Sequence, residues 1–278
     1  MRIKNPGLKN GLNQIVTDSG KPFNPENPNA MMNFSSLILS ENSSYQTDVS
    51  KERAIILLNG IACVKWNISN EDKNREMVSE IEMRRTSVFD ENPWVLSIPA
   101  KLNCTILSKK KDTEFLIFET ENLKFFSPRL FTPNDCVSEN RGAGTMKETS
   151  TRVVRTVFDY KNHPESNLVI GEVINYPGKW SSYPPHHHPQ PEIYHYRFFP
   201  EQGFGFGMLN DDGVLIKHGD STLIIHDDVH SQTSAPGYAM WYLWAIRHLE
   251  GNPYGPVTFL EEHKWVMDKD AKIWPFDS

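Results

Sequence analysis

Residues 183–196 read Y-P-P-H-H-H-P-Q-P-E-I-Y-H-Y, and this stretch decides how the chain is read. In an extended strand alternate side chains share a face. His186 and His188 therefore point the same way, and Glu192 has the same parity. A further imidazole follows at His230, in the run G-D-S-T-L-I-I-H-D-D-V-H. Three imidazoles and one carboxylate suit a divalent first-row metal, zinc first, with manganese or iron permitted. One ion per chain with an open coordination position makes the site catalytic. His187 has the wrong parity and His195 points away from Glu192, so both fall outside the ligand set, and His226 shares the parity of His230.

Outward from this segment the chain is a series of short, alternating or β-branched runs broken by Gly, Pro, Asn and Asp. They include Phe34–Leu39, Arg53–Leu58, Ile61–Trp66, Trp94–Ile98, Thr105–Leu107 and Phe115–Phe118. A second set covers Leu168–Ile174, Glu192–Phe198, Gly205–Leu209, Gly213–Lys217, Ser221–His226 and Met240–Ile246. Few helical patterns of useful length occur, so the expectation is an all-β chain of sandwich or barrel type. The two sets read as a repeat. Gln46-x-Asp48-x-x-x-Glu52 has the spacing of His186-x-His188-x-x-x-Glu192, and Cys104 falls opposite His230. All ten histidines lie at or after His163, so a His-rich site belongs to the second half. The join is expected near Glu139–Gly144, giving domains 1–140, without metal, and 141–278, with it.

H-x-H, a short gap, Glu, then Gly-Asp and a distant His is the ligand pattern of the cupin barrel. The fold expectation is thus two tandem cupin (double-stranded β-helix, or jelly-roll) barrels, a bicupin. Gly219-Asp220 marks the turn before the strand that delivers His230, although the Pro and Gly that cupins often carry there are replaced by Ile225 and Asp227. Tyr194 and Tyr196 share Glu192's face and point inward, as core residues or as substrate contacts.

Composition narrows the partners. The chain has 278 residues, a net charge of −6 and 38% hydrophobic residues, ordinary for a soluble protein. Mild acidity argues against nucleic acid, which needs a basic face. The N-terminal M-R-I-K-N-P-G lacks a signal-peptide core, and no apolar run has membrane-spanning length. The expectation is a cytoplasmic protein, with homo-oligomer formation left open. Cys63, Cys104 and Cys136 suggest no disulfide framework.

With these residues in view, the chain resembles the 5-deoxy-glucuronate isomerase family, the bicupin enzymes of bacterial myo-inositol catabolism. It is more distantly similar to the ketol-isomerase of 4-deoxy-hexosulose uronates. The resemblance is carried by R-T-S-V-F at 85–89, E-N-R-G-A-G at 139–144, G-K-W-S-S-Y-P-P-H-H-H at 178–188, E-I-Y-H-Y-R at 192–197 and Y-L at 242–243. Departures stand at Pro189, Gly207, Met208 and Trp244. The resemblance implies metal-dependent aldose–ketose isomerisation of a small anionic deoxy-uronic acid, 5-deoxy-glucuronate to 5-dehydro-2-deoxy-gluconate, through a cis-enediol. It implies a general base, with a metal-bound hydroxide, Tyr194 or Glu201 as candidates. Arg141 and Arg197 are the candidates for the substrate carboxylate, and Tyr183, Tyr196 and Tyr242 for further substrate contact. The alternatives are an iron-dependent cupin dioxygenase and a non-enzymatic sugar-binding bicupin.

Overall fold

The computed structural model describes residues 1–21, 26, 28–68 and 77–275. Alternation of side chains along each run produces strands with one face in a core, and among the described residues these form sheets of seven, nine and five strands. Two short 3₁₀ turns, Met146–Glu148 and Glu261–Met267, are the helical elements among them. No helix is long and apolar enough to cross a membrane among the described residues.

The two halves repeat one topology. In the first, a face ordered Arg129–Phe131, Trp94–Ile98, Glu52–Ile68, Thr113–Thr120, Asn33–Leu39, Gly11–Thr17 packs over Ser44–Gln46, Cys104–Ser108, the distal part of Glu52–Ile68, and Met77–Arg85. In the second, Ser221–Ile224, Glu192–Phe199, Ala239–Arg247, Leu168–Asn175, Arg152–Phe158 follow the same order. They pack over Trp180–His187, His230–Ser234, Phe204–Leu209 and Asp212–Lys217. Strand Glu52–Ile68 serves both layers of its half by bending at Gly60 (φ +113°), where a Cβ would meet the Thr113 backbone at 2.8 Å. The expected runs Arg53–Leu58 and Ile61–Trp66 are therefore one strand.

Two segments depart from a division at residue 140. Arg2–Ile3 pairs with Ser221–Ile224 of the second half, and Val137–Arg141 pairs with Arg152–Phe158. The join is therefore a strand of the second half's sheet rather than a loop. Arg2 fixes the N-terminal segment through Asp220, 2.8 Å from Nε.

Three apolar clusters follow from this layering. One fills the first half (Leu37, Ile55, Leu57, Trp66, Phe115 and neighbours). One lies within the second (Tyr194, Tyr196, Phe198, Tyr242). The third lies between the halves, where Phe34, Ile56 and Phe118 meet Ile170, Ile193 and Trp241. Across that interface Arg85 reaches Glu172 through both carboxylate oxygens at 2.7 Å, and Arg155 approaches the same carboxylate at 3.4 Å. Three charged groups out of water are held only because each is paired and hydrogen-bonded. His195 lies in this interface, hydrogen-bonded to the Ser221 hydroxyl at 3.0 Å.

Candidate metal centre

Cross-strand register brings three of the four ligand candidates together and sets the fourth, His186, beside them. His186 stands directly opposite His230 on neighbouring strands, and Glu192 faces them from the other layer of the second half. The ligand atoms of His188, Glu192 and His230 all lie within 4.8 Å of one another, and all three residues are buried. The His186 ring lies 4.5 Å from that of His230.

Hydrogen bonding fixes the chemistry of the imidazoles. Nδ1 of His186 contacts the Pro184 carbonyl at 3.1 Å, Nδ1 of His188 that of Gln190 at 3.0 Å, and Nδ1 of His230 that of Asp228 at 2.9 Å. A carbonyl only accepts, so each Nδ1 carries a proton, and in the neutral ring each Nε2 presents a lone pair. Those of His188 and His230 lie 3.2 Å and 3.5 Å from the same Glu192 oxygen. The His230 Nε2 is buried without a hydrogen-bond partner. Burial pushes His186 down to about 4 and His230 down to about 3, so both are neutral at pH 7. Lone pairs facing a carboxylate repel unless a cation lies between them. Ligand atoms at 2.0–2.1 Å from a tetrahedral zinc sit roughly 3.4 Å apart, close to the separations found. The donor set and its spacing fit a divalent ion.

His186, His188 and Glu192 border a cavity of about 500 Å³, with His230 behind them. Among the sequence candidates, Tyr183, Tyr194, Tyr242, Arg141, His186, His188 and Glu192 line it. The Tyr242 hydroxyl is 2.6 Å from that of Ser181. Burial, reinforced by Glu192, raises the Tyr194 phenol well above its ordinary range and keeps it protonated.

Three candidates lie elsewhere. Glu201 is exposed in the turn after Phe199, at the far end of its strand from Glu192, roughly 30 Å along an extended chain. Arg197 has the opposite parity to Glu192 and pairs with Glu114 of the first half. Tyr196 points inward, but its hydroxyl donates to Gln232 at 2.7 Å beyond the main cavity. His187 pairs with Asp227 at 2.9 Å, and His226 is exposed.

The cavity also holds residues that the sequence reading passed over, among them Arg152, Thr156, Asp159, Tyr254 and Phe259, together with Trp244, one of the departures from the family pattern. Arg152, Val154 and Thr156 share one face of their strand, so the parity rule that selected Glu192 would have found Arg152. Tyr254 and Phe259 arrive from the C-terminal segment, where no periodic pattern announces them. Their rings lie 5.0 Å from His188 and 5.7 Å from His186. Trp244 fits because Gly171 opposite has no Cβ, which would stand 2.3 Å from the indole.

Comparison with known proteins gives the family and the fold. Residues 10–266 match the family described as KduI/IolB. The chain is 26% identical over 239 residues to a 5-deoxy-glucuronate isomerase of Geobacillus kaustophilus, covering 78% of this chain and 79% of that protein. It is 26% identical over 254 residues to one of Lacticaseibacillus casei, covering 84% and 86%. Among solved structures, an IolB-like protein from Salmonella typhimurium superposes with a TM-score of 0.73 at 20% identity, covering 94% of this chain and all of that one. An oxalate decarboxylase of Lactobacillus farciminis gives 0.64 at 13% identity, covering 94% and 88%, a likeness of fold alone.

Proposed function

The chain belongs to the KduI/IolB family, and from that premise we propose that it is a metal-dependent aldose–ketose isomerase of a deoxy-uronic acid. The substrate we favour is 5-deoxy-glucuronate, converted to 5-dehydro-2-deoxy-gluconate as in bacterial myo-inositol catabolism. The observation that carries the reading is the pair of imidazoles, His188 and His230, whose Nδ1 atoms are held by backbone carbonyls and whose Nε2 atoms turn toward Glu192 beside the cavity. We read the repeated topology as two tandem cupin barrels, the second being catalytic.

His186, His188, Glu192 and His230 would hold one divalent ion, zinc by preference. When bound, it supplies a Lewis acid that polarises the sugar carbonyl and stabilises negative charge on oxygen. The remaining work falls to the chain. Isomerisation moves a proton from C2 to C1, which needs one group to take it and return it. The carboxylates lining the cavity are Glu192 and Asp159, and with Glu192 among the ligands Asp159 is left as the carrier. Tyr194, kept as a neutral phenol, acts as a hydrogen-bond donor to the developing enediolate. Trp244, Tyr254 and Phe259 wall the cavity against water, which protects the enediol from loss.

Purified protein should carry about one divalent ion per chain and interconvert the two sugars without consuming oxygen or nicotinamide. Turnover in deuterated water should place deuterium in the product. Metal-dependent oxygen uptake with no isomerisation of any deoxy-uronate would overturn the proposal in favour of a dioxygenase. Deuterium on carbon would exclude hydride transfer, which carries only the substrate's own hydrogen.

A further inference from the structure

Arg152 is 7% exposed, yet its side chain lines the cavity beside His186, Tyr194 and Tyr242. Its Nη1 donates to the Ser150 carbonyl at 2.7 Å and to the Ser150 hydroxyl at 3.0 Å. Among the described residues no carboxylate lies within ion-pair distance of it. This sets it apart from the other buried arginines at the interface. Arg85 and Arg155 meet Glu172, and Arg197 meets Glu114. Arg53, also buried without a carboxylate partner among the described residues, donates through both terminal nitrogens to four protein acceptors, whereas Arg152 donates only through Nη1. A buried cation so weakly compensated is costly.

Its neighbour deepens the anomaly. Arg141 stands directly opposite Arg152 in the antiparallel pair, where like charges are destabilising. Arg141 is half-exposed at the cavity and shares its charge with Glu139 at 3.0 Å, so Arg152 is the one left uncompensated. The backbone is shaped to hold it. Gly142 has φ +83°, and a Cβ there would stand 2.5 Å from the Ser150 carbonyl and 3.4 Å from Arg152 Nη1. The glycine after Arg141 therefore admits the carbonyl that clamps the guanidinium, leaving its other nitrogens for a ligand.

We propose that Arg152 is the carboxylate anchor of this site, binding the acid end of the substrate while the carbonyl end lies against the histidine cluster. A guanidinium matches a carboxylate through two parallel N–H donors, which fixes orientation as well as charge. This rests on the isomerase reading for the choice of sugar, but not for the class of ligand. Arg152 would then set the preference for uronic acids over neutral aldoses.

The test compares 5-deoxy-glucuronate with 5-deoxy-glucose, which carries a hydroxymethyl group in place of the carboxylate. R152Q should lower kcat/KM on the uronate roughly 10- to 100-fold, mainly through KM, the size expected for a lost charge-assisted pair. It should leave the neutral sugar unchanged, so that the preference collapses. R152K, which keeps the charge without the fork, should fall between, and it serves if R152Q does not fold. Equal losses on both sugars, or an intact preference in both variants, would overturn the assignment while leaving the isomerase reading standing. Calorimetric binding of D-glucuronate to the metal-depleted protein separates the two ideas. Binding that disappears in R152Q supports the anion site even if no uronate is turned over. No binding to wild-type protein at millimolar concentration overturns it.

Discussion

The two halves share a strand order but fill it differently, and the register shows how. Ile55 lies between Ile117 and Leu96, as Tyr194 lies between Trp244 and Thr222. Two residues earlier, Arg53 occupies the place of Glu192. The Thr47 amide bonds the Cys104 carbonyl at 3.0 Å, where the second half pairs His186 with His230. The counterparts of His186, His188, Glu192 and His230 are thus Thr47, Val49, Arg53 and Cys104. In the first half a guanidinium fills the position that the second half lines with His186, His188, Glu192 and His230. It is 0% exposed, bonded to the Pro99 and Leu102 carbonyls at 2.8 Å each and to the Thr47 hydroxyl at 3.1 Å. The same architecture closes on a covalently attached positive charge in one half and on a set of lone pairs in the other.

The largest effect expected from breaking this contrast is on metal content. H188A or H230A should weaken metal binding by at least about 100-fold and abolish turnover, since each removes a ligand whose other nitrogen is already locked. T47A and C104A, at the matching positions of the first half, should leave the metal content of purified protein unchanged in elemental analysis. Metal lost equally from both sets would end the assignment of the site to one half.

The junction of the halves comes next. R85M strands Glu172 between the sheets with only Arg155 near it, and should cost about 3–5 kcal/mol. Urea unfolding should show the midpoint drop, while the folded fraction keeps wild-type activity. A negligible change would mean that Arg155 alone satisfies the carboxylate.

R53M tests the guanidinium of the first half. It leaves acceptors from Pro99, Leu102 and Thr47 unpaired in a dry interior, at a cost of about 2–4 kcal/mol. Stability should fall with no change in metal stoichiometry. Loss of metal on R53M would show that the halves do not divide their roles as described.

The smallest effect is pH dependence, and it reports on histidines at the junction as well as in the second half. His163, His195 and His248 are buried and held below their ordinary range by burial, His248 at about 4. A histidine whose folded pKa lies below the unfolded value binds fewer protons in the folded state between the two. Its contribution is therefore intact above about pH 6.5 and is lost as pH falls below it. Urea midpoints should decline between pH 7 and pH 5, and H163Q should flatten that slope. A flat profile in the wild type would show that these imidazoles can charge without loss of structure.

How much of this was legible varies by element. Largely apolar runs buried on both faces, such as Asn33–Leu39 and Ala239–Arg247, stood out. Trp180–His187 did not, because Pro184 and Pro185 interrupt its pattern and its pairing shifts register between Ser181 and His186. The comparison of halves by spacing placed Gln46, Asp48 and Glu52 against the ligands, one residue out of register. A slip of one turns every side chain to the opposite face. Glu52 consequently faces the junction, where it accepts from Asn167 N at 3.0 Å and Asn122 Nδ2 at 2.7 Å, rather than the interior of its half.

The sequence by itself determined the quantities that are local. The pleat has a period of two residues, so the spacing alone set His186, His188 and Glu192 on one face, and the distribution of histidines assigned a His-rich site to the second half. Tertiary structure decided everything that depends on which strand lies opposite which. It turned Arg197 toward Glu114, left Glu201 outside at the end of its strand, and put Arg152 into the cavity across from Arg141. Those outcomes follow from strand register and sheet stacking, which join residues far apart in the chain; parity says which side chains share a face, not what lies across from them.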